Sequence, residues 1–327
     1  MQITRVYSDG RHNAFSSLAQ WQGRLYLAFR SATSHVSPEN PDGQIRILAS
    51  DDGGASWIQV ALLSFPGLDL RDPKLLATEK ALYVHTFGYM NPYRRDANVS
   101  ATLDGYSFTD PVRAADEDNL VIWWPVYYKN EFWGAGYRYH GNKKDIRSIL
   151  LHSADGWRWT VESLIYDVPW ACETTLHFDS EGTAYARVTN AGYRLNPPSS
   201  NGHPVLATVK PPYMEWQYRE MDIRMSGLAT FPWHDTFLLV GRAHDEDDFH
   251  TAAFIIDGNR LRRLFTLPSG GDTAYPGIVR DGDSLLISYY SSHEENAGSD
   301  SVPHPSSIYL ARINIDELDL ESAPEWK

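Results

Sequence analysis

The sequence predicts an all-β fold, a six-bladed β-propeller of four-stranded antiparallel blades, on three observations. Aromatic residues make up 13% of the 327 residues, and long runs of Ala, Glu, Leu and Lys at helical period are missing; that balance suits pleated, half-buried strands. A short turn motif recurs about every fifty residues. Six hairpin-like units, each opening on an apolar strand, divide the whole chain, and six sheets closed into a ring leave only short, protected edges.

The turn motif reads SDDGGASW at 50–57, TLDGYSF at 102–108 and SADGWRW at 153–159, with Ser50, Thr102 and Ser153 standing 52 and 51 residues apart. Each copy follows a β-rich stretch (QIRILAS, RRDANVSA, DIRSILLH) and precedes another (WIQVALL, SFTDPV, WTVESLI), as a hairpin turn does. In such a turn an Asp carboxylate accepts backbone N–H groups, Gly permits positive φ and the aromatic ring packs beneath. The motif therefore reads as a corner of the fold.

The six openings are HNAFSSLAQWQGRLYLAFR, RDPKLLATEKALYVHTFG, WWPVYYKNEFWGAGYR, CETTLHFDSEGTAYAR, SGLATFPWHDTFLLVGR and AYPGIVRDGDSLLISYY. Each is a strand, a polar turn and a second strand, and one or two further strands follow. After the last opening only SIYLARINI remains, so the N-terminal QITRVYS is expected to complete the final blade. The expected organisation is one domain over 1–327.

Composition narrows the function. With 42% hydrophobic residues the chain fills a real core, and its net charge of -13 repels nucleic acid and anionic membranes. No run approaches the roughly 18 apolar residues of a membrane span. The N-terminus has no apolar signal core, so the chain as written is expected to be cytoplasmic, or secreted or periplasmic if a leader has been removed. Cys172 is the single cysteine, which excludes an intrachain disulfide and a Cys-based metal site. HDEDDFH at 244–250 has hard-metal residue types without the spacing of a cation loop. No metal or cofactor is expected, and oligomeric state is open.

In a propeller the starts of the innermost strands and the ends of their neighbours meet near the axis on one face. The ends supply Arg30, Arg138, Arg187 and Arg242; the starts supply His12, Asn13, Arg71, Asp72, Trp123, Trp124, Glu173, Met225, Ser226 and Tyr275. In an acidic protein, converging guanidinium groups form a local funnel for an anion, and a carboxylate matches the Arg fork bidentately. Glu173, in ACETTLHF, is a carboxylate among small and apolar neighbours, an unusual place unless it is paired.

The turn motif resembles the Asp-box, or BNR repeat, of sialidases and related six-bladed propeller glycosidases, and the six-unit organisation extends the resemblance over nearly the whole chain. Non-catalytic propellers carry the box as well. The family's glutamate opening the fourth blade and the arginine ending the next strand are similar to Glu173 and Arg187. Its tyrosine opening the last blade resembles Tyr275, its Asp-Pro pair opening blade two resembles Asp72 and Pro73, and Arg242 resembles a further member of its carboxylate-binding triad. The resemblance implies a retaining hydrolysis with Tyr275 as nucleophile and Glu173 taking its proton, a phenol approaching an anionic sugar with less repulsion than a carboxylate.

The chain departs from the family twice. The family's first triad arginine lies in a Tyr-Arg-Ile-Pro-like run, which here reads HNAFSSL with Ala14 near that position; Arg30 or Arg71 is the candidate replacement. The loop before the first box, SATSHVSPENPDGQ, offers His35, Glu39 and Asp42 as acid/base, with His35 first and Asp42 second. The expected activity is exo-hydrolysis of a glycoside with a terminal carboxylate-bearing sugar. A propeller lyase or rhamnosidase acting on uronate-containing glycans through His12, His35 or Tyr275 is the alternative. A non-catalytic carbohydrate binder stacking sugars on Trp123, Trp124 and Tyr289 is the second, and His293 and Glu294 are candidate rim contacts.

Overall fold

The computed structural model of the protein describes residues 1–36, 41–91, 94–139, 145–194, 198, 200–245, 248–295 and 305–318. Strand β1 (Gln2–Tyr7) is followed by blade 1, formed by β2 (His12–Trp21), β3 (Arg24–Ala32), β4 (Gln44–Ser50) and β5 (Ile58–Leu63). Blade 2 is β6 (Asp69–Ala77), β7 (Leu82–Asn91), β8 (Arg94–Thr102) and β9 (Val112–Arg113), and blade 3 is β10 (Leu120–Tyr128), β11 (Glu131–Tyr139), β12 (Ile146–Ser153) and β13 (Thr160–Tyr166). Blade 4 is β14 (Ala171–Phe178), β15 (Ala184–Asn190), β16 (Val205–Val209) and β17 (Gln217–Glu220). Blade 5 is β18 (Met225–Trp233), β19 (Thr236–Asp245), β20 (Asp248–Asp257) and β21 (Arg260–Thr266). The last unit contributes β22 (Thr273–Asp281), β23 (Ser284–Ser291) and β24 (Ser307–Asn314), and β1 completes that sheet in the order β1-β24-β23-β22. All six sheets have four antiparallel strands, and the ring closes through the N-terminal strand as the sequence predicts. Among the described residues no helix is long and apolar enough to cross a membrane.

Each sheet is covered on both faces by its neighbours, so apolar clusters lie between blades. Leu27 and Phe29 of blade 1 pack on Leu286, Tyr290 and Ile308 of blade 6, and Val240 and Ile255 of blade 5 pack on Leu285, Ile287 and Ala311. Burial on both faces explains why β3 reads as a nearly continuous buried run where a one-sided strand would alternate.

The three turn motifs join third to fourth strands in blades 1, 2 and 3. In each, the leading hydroxyl accepts a glycine N–H: Ser50 from Gly54 at 2.8 Å, Thr102 from Gly105 at 2.9 Å and Ser153 from Gly156 at 3.0 Å. The carboxylates of Asp52, Asp104 and Asp155 accept further backbone N–H groups, and those glycines take φ of +92°, +77° and +77°. Trp57 and Trp159 donate their indole N–H back to the glycine carbonyls at 3.1 and 2.9 Å. In the first copy Asp52 does this work, while Asp51 pairs with Arg24. None of these residues lines the axial cavity.

Candidate active site

In every blade the innermost strand carries one residue more than its neighbour, just inside its start. In blade 1, Ala14 pairs with Arg30 and Ser17 with Ala28, so 15 and 16 oppose 29 alone. The same skip falls at 72–73, at 123, at 173, at 227–228 and at 275–276. Such bulges bend a strand and re-aim its side chains. Phe15, Asp72 and Tyr275 adopt φ of +60°, +48° and +47° there, strain of a kind that persists only where the surrounding fold imposes it. Five of the six bulges deliver Phe15, Asp72, Trp123, Glu173 and Tyr275 to the wall of one axial cavity of about 320 Å³. The sixth is Gly227, where a Cβ would come 3.2 Å from the Tyr275 ring; its N–H donates to Glu173 Oε2 at 3.3 Å.

Tyr275 Oη donates to Glu173 Oε1 at 2.7 Å. Phe15 and Trp123 flank the phenol edge-on, at 5.1 and 5.7 Å between ring centroids. Burial, reinforced by the Glu173 charge, holds the phenol well above 10, and Arg242 opposes this. Burial also raises the Glu173 carboxyl above 4.5, with the Tyr275 hydrogen bond pulling it down and Asp72 pushing it up. Asp72 is buried and its carboxyl is raised above 3.8 by desolvation, against Arg71 and Lys74.

Behind this pair stands Asp272, immediately before β22. Its Oδ2 accepts from His35 Nδ1 at 2.6 Å and His12 Nε2 at 2.9 Å; its Oδ1 accepts from Tyr290 Oη at 2.6 Å and Arg242 Nη2 at 3.2 Å. Burial works against the charge, but the two histidine hydrogen bonds hold the carboxyl well below 3.8. Arg242 also donates Nε to the Thr273 carbonyl at 2.8 Å, which fixes its guanidinium 6.0 Å from the Tyr275 ring centroid. Arg71 lines the cavity from blade 2, its guanidinium 5.0 Å from the Phe15 ring and its Nε 3.8 Å from Asp72 Oδ2.

Several expected site residues lie elsewhere. Opposite the bulges, the residues of the second strands in matching register are Arg30, Phe87, Gly136, Thr189, Arg242 and Tyr290. Only two of the four arginines therefore share a position. Arg187 falls two residues short of Thr189, buried over the Phe237 ring at 4.0 Å, where desolvation lowers it to about 9. Arg138 falls two residues past Gly136, alternates with the cavity-lining Tyr137 and Tyr139, and pairs with Glu117 at 2.7 Å. Arg30 is in register but fully buried, bonded bidentately to Asp69 at 2.7 and 2.8 Å and to the Ser34 carbonyl at 3.0 Å. It anchors the loop carrying His35 and does not line the cavity.

His12 is also fully buried behind Asp272, and burial lowers it to about 4. Asn13 bonds Asp9, and Trp124 packs between blades near His177 rather than at the axis. Asp42 accepts from Thr33 and Arg11 outside the cavity. Tyr289 is core, donating to the Pro268 carbonyl, and Glu294 accepts from Tyr309 while His293 contacts that ring. Met225, Ser226, His35, Arg71, Asp72, Trp123, Glu173, Arg242 and Tyr275 do line the cavity. Glu39, and Glu246 and Asp247 of the acidic stretch, lie outside the described residues.

Sequence reasoning missed Asp272, Phe15, Arg95 and Arg194. Asp272, three residues before Tyr275 in GGDTAY, carried a usable signal; Arg95 and Arg194 arrive from β8 and from a 3-10 turn (Ala191–Arg194), where no repeat position marks them.

Among the described residues, His12, His35 and Asp272 bring three metal-type donor atoms within 4.8 Å of one another. The Arg30 guanidinium stands 3.4 Å from His12 Nδ1 and can only donate. His12 Nδ1 therefore accepts, its Nε2 carries the proton given to Asp272, and that nitrogen has no lone pair for a metal. With Arg30 and Arg242 flanking it, the cluster suits a hydrogen-bond relay better than a dication.

No family model matches the chain, and no curated protein matches it in sequence. Among the solved structures that share its fold is a protein of unknown function from Dyadobacter fermentans, with TM-score 0.78 and 18% identity over 96% of this chain and 98% of that one. Phage phi92 endosialidase matches with TM-score 0.72 and 11% identity, over 100% of this chain and 71% of its own. An α-L-arabinofuranosidase from Fusarium graminearum in complex with an iminosugar inhibitor matches with TM-score 0.68 and 13% identity, over 96% of this chain and 99% of its own. At such identities the likeness establishes the architecture: this chain is a six-bladed β-propeller of the kind found in those two glycosidases.

Proposed function

We propose that the protein is a glycoside hydrolase acting on a terminal carboxylate-bearing sugar, with Tyr275 as nucleophile. The observation that carries this reading is the 2.7 Å hydrogen bond from Tyr275 to Glu173 inside a cavity also lined by Arg71 and Arg242. Arg71 and Arg242 bind the sugar carboxylate. Tyr275 Oη attacks the anomeric carbon as its proton passes to Glu173 Oε1, and the glycosidic C–O bond breaks. His35, backed by Asp272, gives a proton to the departing oxygen. It then takes one from the water that displaces the tyrosine, and Glu173 returns the phenolic proton. Asp72, which lines the same cavity beside Arg71, contacts the substrate. The likeness of the fold to an endosialidase and an arabinofuranosidase supports the reading at the level of reaction class.

A panel of arylglycosides of sialic and uronic acids tests it. Hydrolysis of at least one is expected, with Tyr275→Phe abolishing turnover while affinity stays nearly intact; full activity in that variant overturns the nucleophile assignment. His35→Gln is expected to lose more activity on alkyl than on nitrophenyl glycosides, because a good leaving group needs no proton.

The His35–Asp272 hydrogen bond at 2.6 Å also favours a second reading, a lyase in which His35 removes the proton beside a uronate carboxylate. Ultraviolet absorbance from an unsaturated uronate in the same assays would select it.

A further inference from the structure

His12 opens β2, yet it is fully buried and does not line the cavity, so its imidazole cannot reach a substrate. A polar ring in such a place must make its hydrogen bonds inside the protein, and His12 makes both of them to groups that hold His35. On one side stands Arg30, whose Nε and Nη2 donate to the buried Asp69 carboxylate. Its remaining nitrogen, Nη1, donates to the Ser34 carbonyl at 3.0 Å and to His12 Nδ1 at 3.4 Å. On the other side His12 Nε2 donates to Asp272 Oδ2 at 2.9 Å, the same oxygen that accepts from His35 Nδ1 at 2.6 Å. One guanidinium nitrogen thus braces both partners of the His35–Asp272 bond, the first through the backbone next to His35 and the second through the His12 ring. Burial keeps that ring neutral at pH 7, and the nearby His35 and Arg30 charges reinforce this. His12 therefore orients Asp272 without cancelling its charge, which stays available to an imidazolium at His35.

We propose that His12 is a positioning residue, which turns Asp272 Oδ2 toward His35 and thereby fixes His35 as the acid beside the departing oxygen. Its part in catalysis rests on the cavity being a glycoside site; its hold on His35 does not. Apart from the two histidines, the Asp272 side chain is tied among the described residues through Oδ1 alone, to Tyr290 and Arg242. A carboxylate held at one oxygen turns readily about its last torsion, whose well is broad. Without the His12 N–H, Oδ2 loses its fixed direction and the His35 ring loses its own.

His12→Asn and His12→Gln separate this role from packing. An Asn amide reaches only the place of Nδ1 and can still accept from Arg30, whereas a Gln amide reaches that of Nε2 and can still donate to Asp272. In each full-length variant kcat/KM is measured for a nitrophenyl and an alkyl glycoside of whichever acidic sugar the protein cleaves; the ratio of the two does not depend on the fraction folded. His12→Asn is expected to raise the nitrophenyl-to-alkyl ratio about tenfold or more, part of the roughly 10²–10⁴-fold that a general acid supplies, and His12→Gln to keep it within about twofold. Nitrogen-15 NMR of the histidine-labelled protein in mildly alkaline solution reads the same contact without turnover. Neutral His35 should carry its proton on Nδ1 in the unsubstituted protein and in His12→Gln, and pass to the Nε2–H form that free imidazole prefers in His12→Asn. An unchanged ratio or an unchanged His35 tautomer in His12→Asn overturns the proposal, as does a His12→Gln variant impaired as much as His12→Asn. No turnover of any arylglycoside by the unsubstituted protein overturns the glycosidase reading instead, and the tautomer then decides the hold on His35 by itself.

Discussion

At the scale of single residues, the site depends on which charged groups are held and which are merely buried. Arg242 is fixed by Asp272 and Thr273 at the cavity wall, whereas all three guanidinium nitrogens of Arg187 are buried without a hydrogen-bond partner among the described residues. Arg242→Ala is therefore expected to weaken binding of an acidic sugar by about 1.5–3 kcal/mol. Arg187→Met should leave that affinity unchanged and keep or raise stability, since an apolar side chain replaces a desolvated cation. Titration of one acidic monosaccharide into both variants, with their urea midpoints, checks the pair; a loss of affinity in Arg187→Met returns that arginine to the site. Glu173 gives a pH signature. It accepts a proton only when ionised, and burial raises it above 4.5, so activity should fall as pH drops through a value higher than that of an ordinary carboxylate. A pH profile of kcat/KM with its acid limb at or below 4.5 contradicts Glu173 as the base. Glu173 and Tyr275 could be picked out from the sequence because each opens a repeat at a position that the family resemblance marks. Asp272 carried only its nearness to Tyr275 as a signal; its role was not legible, because its four partners come from β2, β19, β23 and the loop after β3, and only the closed ring brings them together.

At the scale of elements, the bulge near the start of each innermost strand is the device that builds the cavity, and the turn motifs are the device that closes the outer hairpins of blades 1, 2 and 3. The two should fail differently. Gly227→Ala places a Cβ against the Tyr275 ring at a backbone of φ +58°, so it should displace the phenol from Glu173. Activity should fall at least tenfold, with a stability loss of about 1 kcal/mol or more. Trp159 is buried under its turn, against Phe132 and Ile149. Trp159→Ala should cost about 3–5 kcal/mol while leaving activity per folded molecule unchanged. Chemical denaturation alongside initial rates separates the two; equal effects on both measures would remove the division of labour. The turns were readable because hydrogen bonds between near neighbours fix them. The bulges were not, because an extra residue in one strand is defined only by its partner strand.

For the whole molecule, closing the ring buries polar side chains that a free blade would expose, and this links stability to pH. His12 and His85 are fully buried, with burial lowering them from 6.5 to about 4 and about 3. Both folded values lie below the unfolded one. Their stabilisation is therefore complete above pH 6.5 and is lost as pH falls toward 4 and 3, because the unfolded chain takes up protons that the native state refuses. Each contributes a slope of up to about 1.4 kcal/mol per pH unit below 6.5. Urea unfolding at pH 7 and pH 5 should show a loss that His85→Phe reduces; an unchanged difference would exclude His85 as a source. The sequence by itself determined the six-fold repeat, the closing of the last blade by its first strand and the residues that open each blade, since local periodicity and turn chemistry encode all three. Only the tertiary structure decided which arginines face the axis. A displacement of two residues along a strand, about 6–7 Å, moves a guanidinium from the cavity to an interface between blades, and that register exists only once neighbouring strands have paired.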